Sequence, residues 1–139
     1  MTYRDKQWQF EIDLPSDWRQ AGFFHRLKNK GAPEFFSPQN ASIKFAIGPI
    51  TPVPDYREHM ENLKRIAGQH GHTVLAADGI EVGGRQHATM TVAIPLPSGH
   101  ALRCKHYALI FDGIEYFVSA SLAAGDSEID SIIKTFRKP

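Results

Sequence analysis

Seven histidines and one cysteine are the side chains of this 139-residue sequence best suited to metal or nucleophilic chemistry. His70 and His72, separated by a single glycine, form the tightest pair, and two imidazoles so spaced are a start towards a zinc or copper site. No Cys, Asp or Glu stands near them at a recognisable ligand spacing. A solvated helix C-terminus, where histidine is favoured by the helix dipole, accounts for the pair more simply. His100, Cys104 and His106 share one parity, so an unbroken strand would place them on one face. A Cys/His nucleophile needs an activated thiolate and a third, orienting group. A cysteine in mid-strand is more often small core filler. Gly83-Gly84 fits neither a phosphate loop nor a dinucleotide fingerprint, and there is no nucleophile elbow. The two glycines read as a turn that needs positive φ. His25, Arg26, Lys28 and Lys30, beside Phe23 and Phe24, form the one basic-aromatic cluster. Such a cluster could contact nucleic acid, but the net charge of only +1 and basic residues on both faces of the expected strand favour a solvated sheet edge. The residues therefore assign no catalytic group, no metal ligand and no cofactor.

The elements that would position these side chains centre on residues 84–122, an expected antiparallel meander of three strands. Ala88, Met90, Val92 and Ile94 alternate with His87, Thr89, Thr91 and Ala93, the period of a strand with one face on a core. Pro95, Pro97, Ser98 and Gly99 stop it. The next strand, from about Ala101 to Phe111, changes its apolar phase: Leu102 and Cys104 hold one parity, Tyr107, Leu109 and Phe111 the other. A bulge, or burial of both faces in a central strand, explains that change. Asp112-Gly113 is a hairpin signal, after which Tyr116, Val118, Ala120 and Leu122 alternate with Phe117, Ser119 and Ser121.

Upstream, Trp8, Phe10, Ile12 and Leu14 make a clean alternating strand ended by Pro15, and Ser16 or Asp17 would cap a helical turn carrying Trp18. Residues 23–30 and Glu34 to Phe36 read as a hairpin turned by Asn29, Lys30 and Gly31. Ile43, Phe45 and Ile47 form another strand before a proline-rich connection. The best helix spans about 55–70, with Asp55 and Glu58 as a capping box and Tyr56, Met60, Leu63 and Ala67 as its stripe beside Ile66. Glu61 would pair with Arg65, and Gly71 would stop the helix. Thr73 to Ala77 reads as a short strand turned by Asp78-Gly79. A last helix, about 127–137, would be capped by Asp126 or Ser127 and bury Ile129, Ile132, Ile133 and Phe136, with Lys134, Arg137 and Lys138 matching its dipole. The expected fold class is α+β: an αβα sandwich with a central, mostly antiparallel twisted sheet of about six or more strands and two main helices.

Length and composition predict one domain over 1–139. With charged residues at 22% and net charge near zero, no nucleic-acid or anionic-membrane partner is expected. No apolar run reaches the roughly 18 residues of a membrane span, and the first residues lack the apolar stretch of a signal peptide. The expected compartment is the cytoplasm, although an exported fragment given a new Met reads the same way. The single cysteine leaves no internal disulfide.

FEIDLPSDW (Phe10 to Trp18), the mid-chain helix, the strand after Gly84 in EVGGRQHATMTV, the strand ending in YALIFDGIEYFVSAS and the final helix closing on Ile133 and Phe136 together resemble the PsbP/Mog-like superfamily. That group includes PsbP, the Ran-binding Mog proteins, DcrB-type lipoproteins and the Eag-type chaperones of type VI secretion effectors. The resemblance implies an αβα sandwich and a non-enzymatic role in binding other proteins, with no binding residue transferable by position. Phe23, Phe24, Phe35 and Phe36 are adjacent pairs, so in strands one of each pair points away from its neighbour; they are the candidate partner-binding residues, as an exposed apolar patch marks a partner site. A second layer covering both faces is the alternative. The expected function is a protein-binding module, an adaptor or chaperone, with an Eag-like effector chaperone as the most concrete version. Its partner would be another protein, such as a hydrophobic segment of an effector, or a second copy in a homodimer. The alternative function is a small-ligand or metal binder, or a divergent enzyme, with a pocket between sheet and helix near His100 or His106.

Overall fold

The computed structural model describes the backbone of residues 1–121 and 126–139, and their side chains other than those of Phe23 and Asp126. Leu122, expected at the end of the meander, and the side chains of the candidate contact Phe23 and the candidate cap Asp126 thus lie outside the described residues. In chain order the elements are β1 (Thr2–Asp5), β2 (Phe10–Asp13), β3 (Arg19–Gln20), α1 (Phe23–Lys28), β4 (Glu34–Phe36), β5 (Ser42–Pro49), α2 (Tyr56–Gln69), β6 (Thr73–Val82), β7 (Arg85–Pro95), β8 (Ala101–Phe111), β9 (Ile114–Ser121) and α3 (Asp126–Ile133).

Strands β3 to β9 form one seven-stranded sheet in the order β3-β4-β5-β9-β8-β7-β6, and β1-β2 is a separate hairpin. Every described pairing between named strands is antiparallel. The meander stands as expected. Its last hairpin, β8-β9, turns on Asp112-Gly113 (φ +55 and +74), and the β6-β7 hairpin that leads into it turns on Gly83-Gly84 (φ +61 and +76); both are two-residue loops whose left-handed backbone matches the twist of the strands. β8 pairs with β7 and β9 without a register shift, so its phase change reflects a central strand buried on both faces rather than a bulge.

The layers cover opposite faces of the sheet. On one face, Phe10 and Ile12 of β2 and Ile129, Ile132 and Ile133 of α3 pack on Ile43, Phe45, Leu109, Tyr116 and Val118. On the other, Leu63 and Ala67 of α2 meet Ala88, Met90, Val92 and Ala108. The molecule is an α+β sandwich with helices on both sides of an antiparallel sheet.

Several expectations are corrected. Residues 23–28 are the helix α1, not the first arm of a hairpin. None of its residues is β-branched, Leu27 and Lys28 are good helix formers, and Gly22 enters it in extended conformation. β4 pairs instead with β3 and β5. Residues 16–17 form a plain turn, closed by Trp18 N–H donating to the Pro15 carbonyl, and the chain continues into β3. Asp78-Gly79 is no turn: β6 runs straight through it, with its irregularity between Val74 and Ala76. Gly79 serves packing, since a Cβ there would lie 3.1 Å from the Tyr56 ring and 2.7 Å from Gln86 Oε1. The last helix ends at Ile133, not 137. Lys134 stands at the helix end, its N–H on the Asp130 carbonyl, but Arg137 exchanges two backbone hydrogen bonds with Glu11, so Arg137 and Lys138 lie beyond the helix and do not complement its dipole. On α2, Glu61 pairs with Lys64 at 3.0 Å rather than with Arg65.

Candidate binding groove

Helix α2 begins at Asp55, whose carboxylate accepts the Arg57 N–H at 2.8 Å, and ends in a Schellman turn. There His72 N–H donates to Ala67 and Gly71 N–H to Gly68, with Gly71 at φ +75. The face it turns to the sheet is His59, Leu63 and Ala67, spaced i, i+4, i+8. It lies over β6 and β7, at one end of the sheet. Beyond it, the same face of β9 and β5 is open among the described residues. Phe117 and Ala46, opposite in parity to the core residues Tyr116, Val118 and Phe45, face outward there. The 49–54 connection closes one end. The result is a groove of about 940 Å³ lined by Ala46, Ile50, Val53, Leu63, Ile66 and Phe117 among others. Val53 and Ile66 are 57% and 42% exposed.

One polar pair sits in this apolar setting. His59 Nε2 of α2 lies 2.8 Å from Glu115 Oε2 of β9, with the His59 side chain 8% exposed and that of Glu115 24%. The contact is not aligned as a hydrogen bond, and both His59 Nδ1 and Glu115 Oε2 are buried without a hydrogen-bonding partner. Buried polar atoms are ordinarily satisfied, so two orphans at one groove are unusual. A second pocket, about 660 Å³, shares Val53, Pro54 and His59 with the groove and adds Asp55, Tyr56, Arg85, Gln86, His87 and Asp112.

His87 has a structural task. The β7-β8 ladder ends at Ala88 and Ala108. Just past it, His87 Nδ1 accepts the Ile110 N–H at 3.2 Å, while Nε2 lies 3.1 Å from the Val82 carbonyl. The ring is therefore the neutral, Nε2-protonated tautomer, bridging β6 and β8 where the ladder opens. Burial, and secondarily the charge of Arg85, holds its pKa below the usual 6.5. His106 is likewise held low, by burial and then by His72. It stacks on Phe117 with ring centroids 5.3 Å apart and shares a hydrogen bond of 2.9 Å with Ser119 Oγ.

The histidines singled out by spacing assemble no ligand set, although His72 lies near enough to His106 to bear on its charge. His70 and His72 have ring centroids 5.9 Å apart at the end of α2, and among the described residues no three potential ligands gather. His100 sits in the turn before β8, away from the strand that holds Cys104 and His106. Burial raises the Cys104 thiol pKa, the opposite of an activated nucleophile. Of the candidate phenylalanines, Phe35 is in the core, edge-on to Tyr3 at 4.9 Å. Phe36 is half-buried, and Phe24 stands 77% exposed on α1, with Leu27 at 59%. His59 and Glu115 were not among the candidates. The i, i+4, i+8 alignment of His59 with Leu63 and Ala67 was a signal for the first; nothing in the sequence marked the second.

No known protein family's sequence profile matches the chain, and no curated protein matches it. Solved structures do. Cyanobacterial PsbP (CyanoP) from Synechocystis superposes with a TM-score of 0.71 at 13% identity, covering 100% of this chain and 92% of that one. A Bacteroides thetaiotaomicron protein gives 0.66 at 13% identity, over 99% of this chain and 48% of the other. The Ran-binding protein Mog1p of Saccharomyces cerevisiae gives 0.64 at 11% identity, over 99% and 94%. At such identities the likeness shows the fold alone: this chain, with its seven-stranded antiparallel sheet and helices on both faces, has the PsbP/Mog-like fold.

Proposed function

We propose that the protein is a non-enzymatic binding module, an adaptor or chaperone, that accepts a hydrophobic segment of a partner protein in the groove between α2 and the open face of β5 and β9. The observation that carries the reading is the half-covered sheet: α2 shields β6 and β7, and the apolar lining beside it, with Val53 and Ile66 largely exposed, continues into open space. Contiguous apolar surface of this kind is a feature of partner sites. That a Ran-binding protein shares the fold supports a protein partner. An Eag-like effector chaperone is the most concrete version, in which the gene neighbours an effector with hydrophobic segments. Phe24 and Leu27 on α1 are a second proposed contact.

The test is co-purification from the native host with the wild-type chain and with an Ile66→Glu/Val53→Glu double variant. Both positions are exposed, so the variant is expected to fold. A partner retained by the wild type and lost by the variant supports the groove; the same proteins retained by both would refute it. The pocket around Tyr56, Arg85 and Gln86 favours a second reading, a small-ligand site, for which thermal shift against a panel of metals and metabolites is the check. A flat response across the panel removes it.

A further inference from the structure

We infer that the occupant of this groove carries a cationic hydrogen-bond donor, a lysine or arginine side chain or a free amino group, that seats against Glu115 while its apolar part lies along Ile66, Val53 and Phe117. The inference rests on the groove reading above and adds the chemistry of the partner.

Three observations converge. The first is the kind of atom left unsatisfied. Glu115 Oε2 is a carboxylate oxygen and so an acceptor, whatever the state of the ring beside it. It is buried without a hydrogen-bonding partner, because the His59 contact at 2.8 Å is not aligned as one. The group missing from the site is a donor. The His59 side chain is more than nine-tenths buried and lines the groove, so water meets it poorly, whereas a docked donor would displace none. A carboxylate oxygen that is buried and short of donors is costly, and an ammonium or guanidinium is the donor that also answers the charge.

The second is the distribution of charge. Glu58 and Glu115 line the groove and Asp55 and Asp112 the adjoining pocket, against Arg65 and Arg85; no lysine lines either. The chain as a whole has 16 basic and 15 acidic residues, so this local excess of acid is not inherited from composition. Arg85 is itself engaged over the Phe111 ring at 6.0 Å. The third is exposure: Glu115 keeps 24% of its side chain accessible, at the wall the apolar residues share. A segment with oily side chains and one positive group matches both features; an acidic or purely apolar segment matches one at most.

The test uses three probes with the same tail and different heads: decylammonium, decyl sulfate and decyl maltoside, each below its micellar concentration, titrated into the full chain by calorimetry. Decylammonium is expected to bind roughly tenfold tighter than decyl maltoside, the size of one charge-assisted hydrogen bond, and decyl sulfate weakest. Glu115→Gln should abolish the preference among heads while tail binding persists. Glu58→Gln, at an exposed site, should reduce it partly, which keeps the test open if the Glu115 variant is poorly folded. Equal binding of all three heads to the wild type, or a preference unchanged in both variants, overturns the cationic occupant but leaves the groove. No binding of any probe overturns both.

Discussion

At the scale of single residues, His87 offers the sharpest consequence of burial. Its Nδ1 must stay unprotonated to accept the Ile110 N–H, and burial lowers its pKa from 6.5. The unfolded chain takes up a proton that the folded chain refuses, so stability is full above about pH 6.5 and falls as pH drops below it. Urea denaturation at pH 7.5 and 5.5 should show this loss in the wild type. His87→Ala should cost about 1–3 kcal/mol at pH 7.5, because the Ile110 N–H is left without an acceptor. It should also show a shallower pH dependence, with His106 supplying the remainder. An unchanged slope would mean that folding does not lower the pKa of this imidazole. Whether a residue's neighbours could be read from the sequence depended on how far away they lie. Asp55 as a cap and Gly71 as a stop are decided within one helical turn, and both were visible. The contact of His59 with Glu115 joins α2 to β9, and no local spacing announces it. The Phe35-Phe36 pair shows the same limit: alternation says that one ring turns inward, and only the pairing of β4 with β5 says which.

Among the elements, α2 and the strands β7 to β9 were legible from their period, whereas the six-residue α1 and the two-residue β3 were not. α2 has 14 residues, enough for its stripe to repeat, and β7 to β9 have eight to eleven each. α1 has six, fewer than two turns, too few to separate a period of 3.6 from one of two. The Asn29-Lys30-Gly31 turn after it would have served a hairpin equally well. Asp78-Gly79 misled for a related reason. The dipeptide is a turn signal only where both residues take positive φ; here the glycine makes room for Tyr56 instead. The cap of α2 is testable by itself. Asp55→Ala should lower stability by about 1 kcal/mol, read as a fall in the urea midpoint with an unchanged m-value. A larger loss would implicate more than the bond to the Arg57 N–H.

For the whole molecule, the side opposite the groove is where the structure is most tightly closed. Phe136 stacks on Phe10 at 5.2 Å and on Phe111 at 5.4 Å and meets Tyr116 edge-on at 5.0 Å, joining the N-terminal hairpin, the sheet and the residues after α3. Phe136→Ala should cost about 3–5 kcal/mol. We propose that residues 1–139 are one cooperative unit, so thermal unfolding followed by near-ultraviolet and far-ultraviolet dichroism should give coincident transitions in the wild type. Transitions that separate would instead mark the hairpin as independent. This closed side has a further consequence for how the chain folds. Asp13 N–H bonds Thr135 Oγ1, and the Asp13 carboxylate takes the Arg137 guanidinium, across 122 and 124 positions of sequence. Until residues 126–139 are free to pack, the oily side of β2 has no lid, and such long-range closure is slow. The folding chain is therefore most prone to aggregate until those residues have closed over the hairpin.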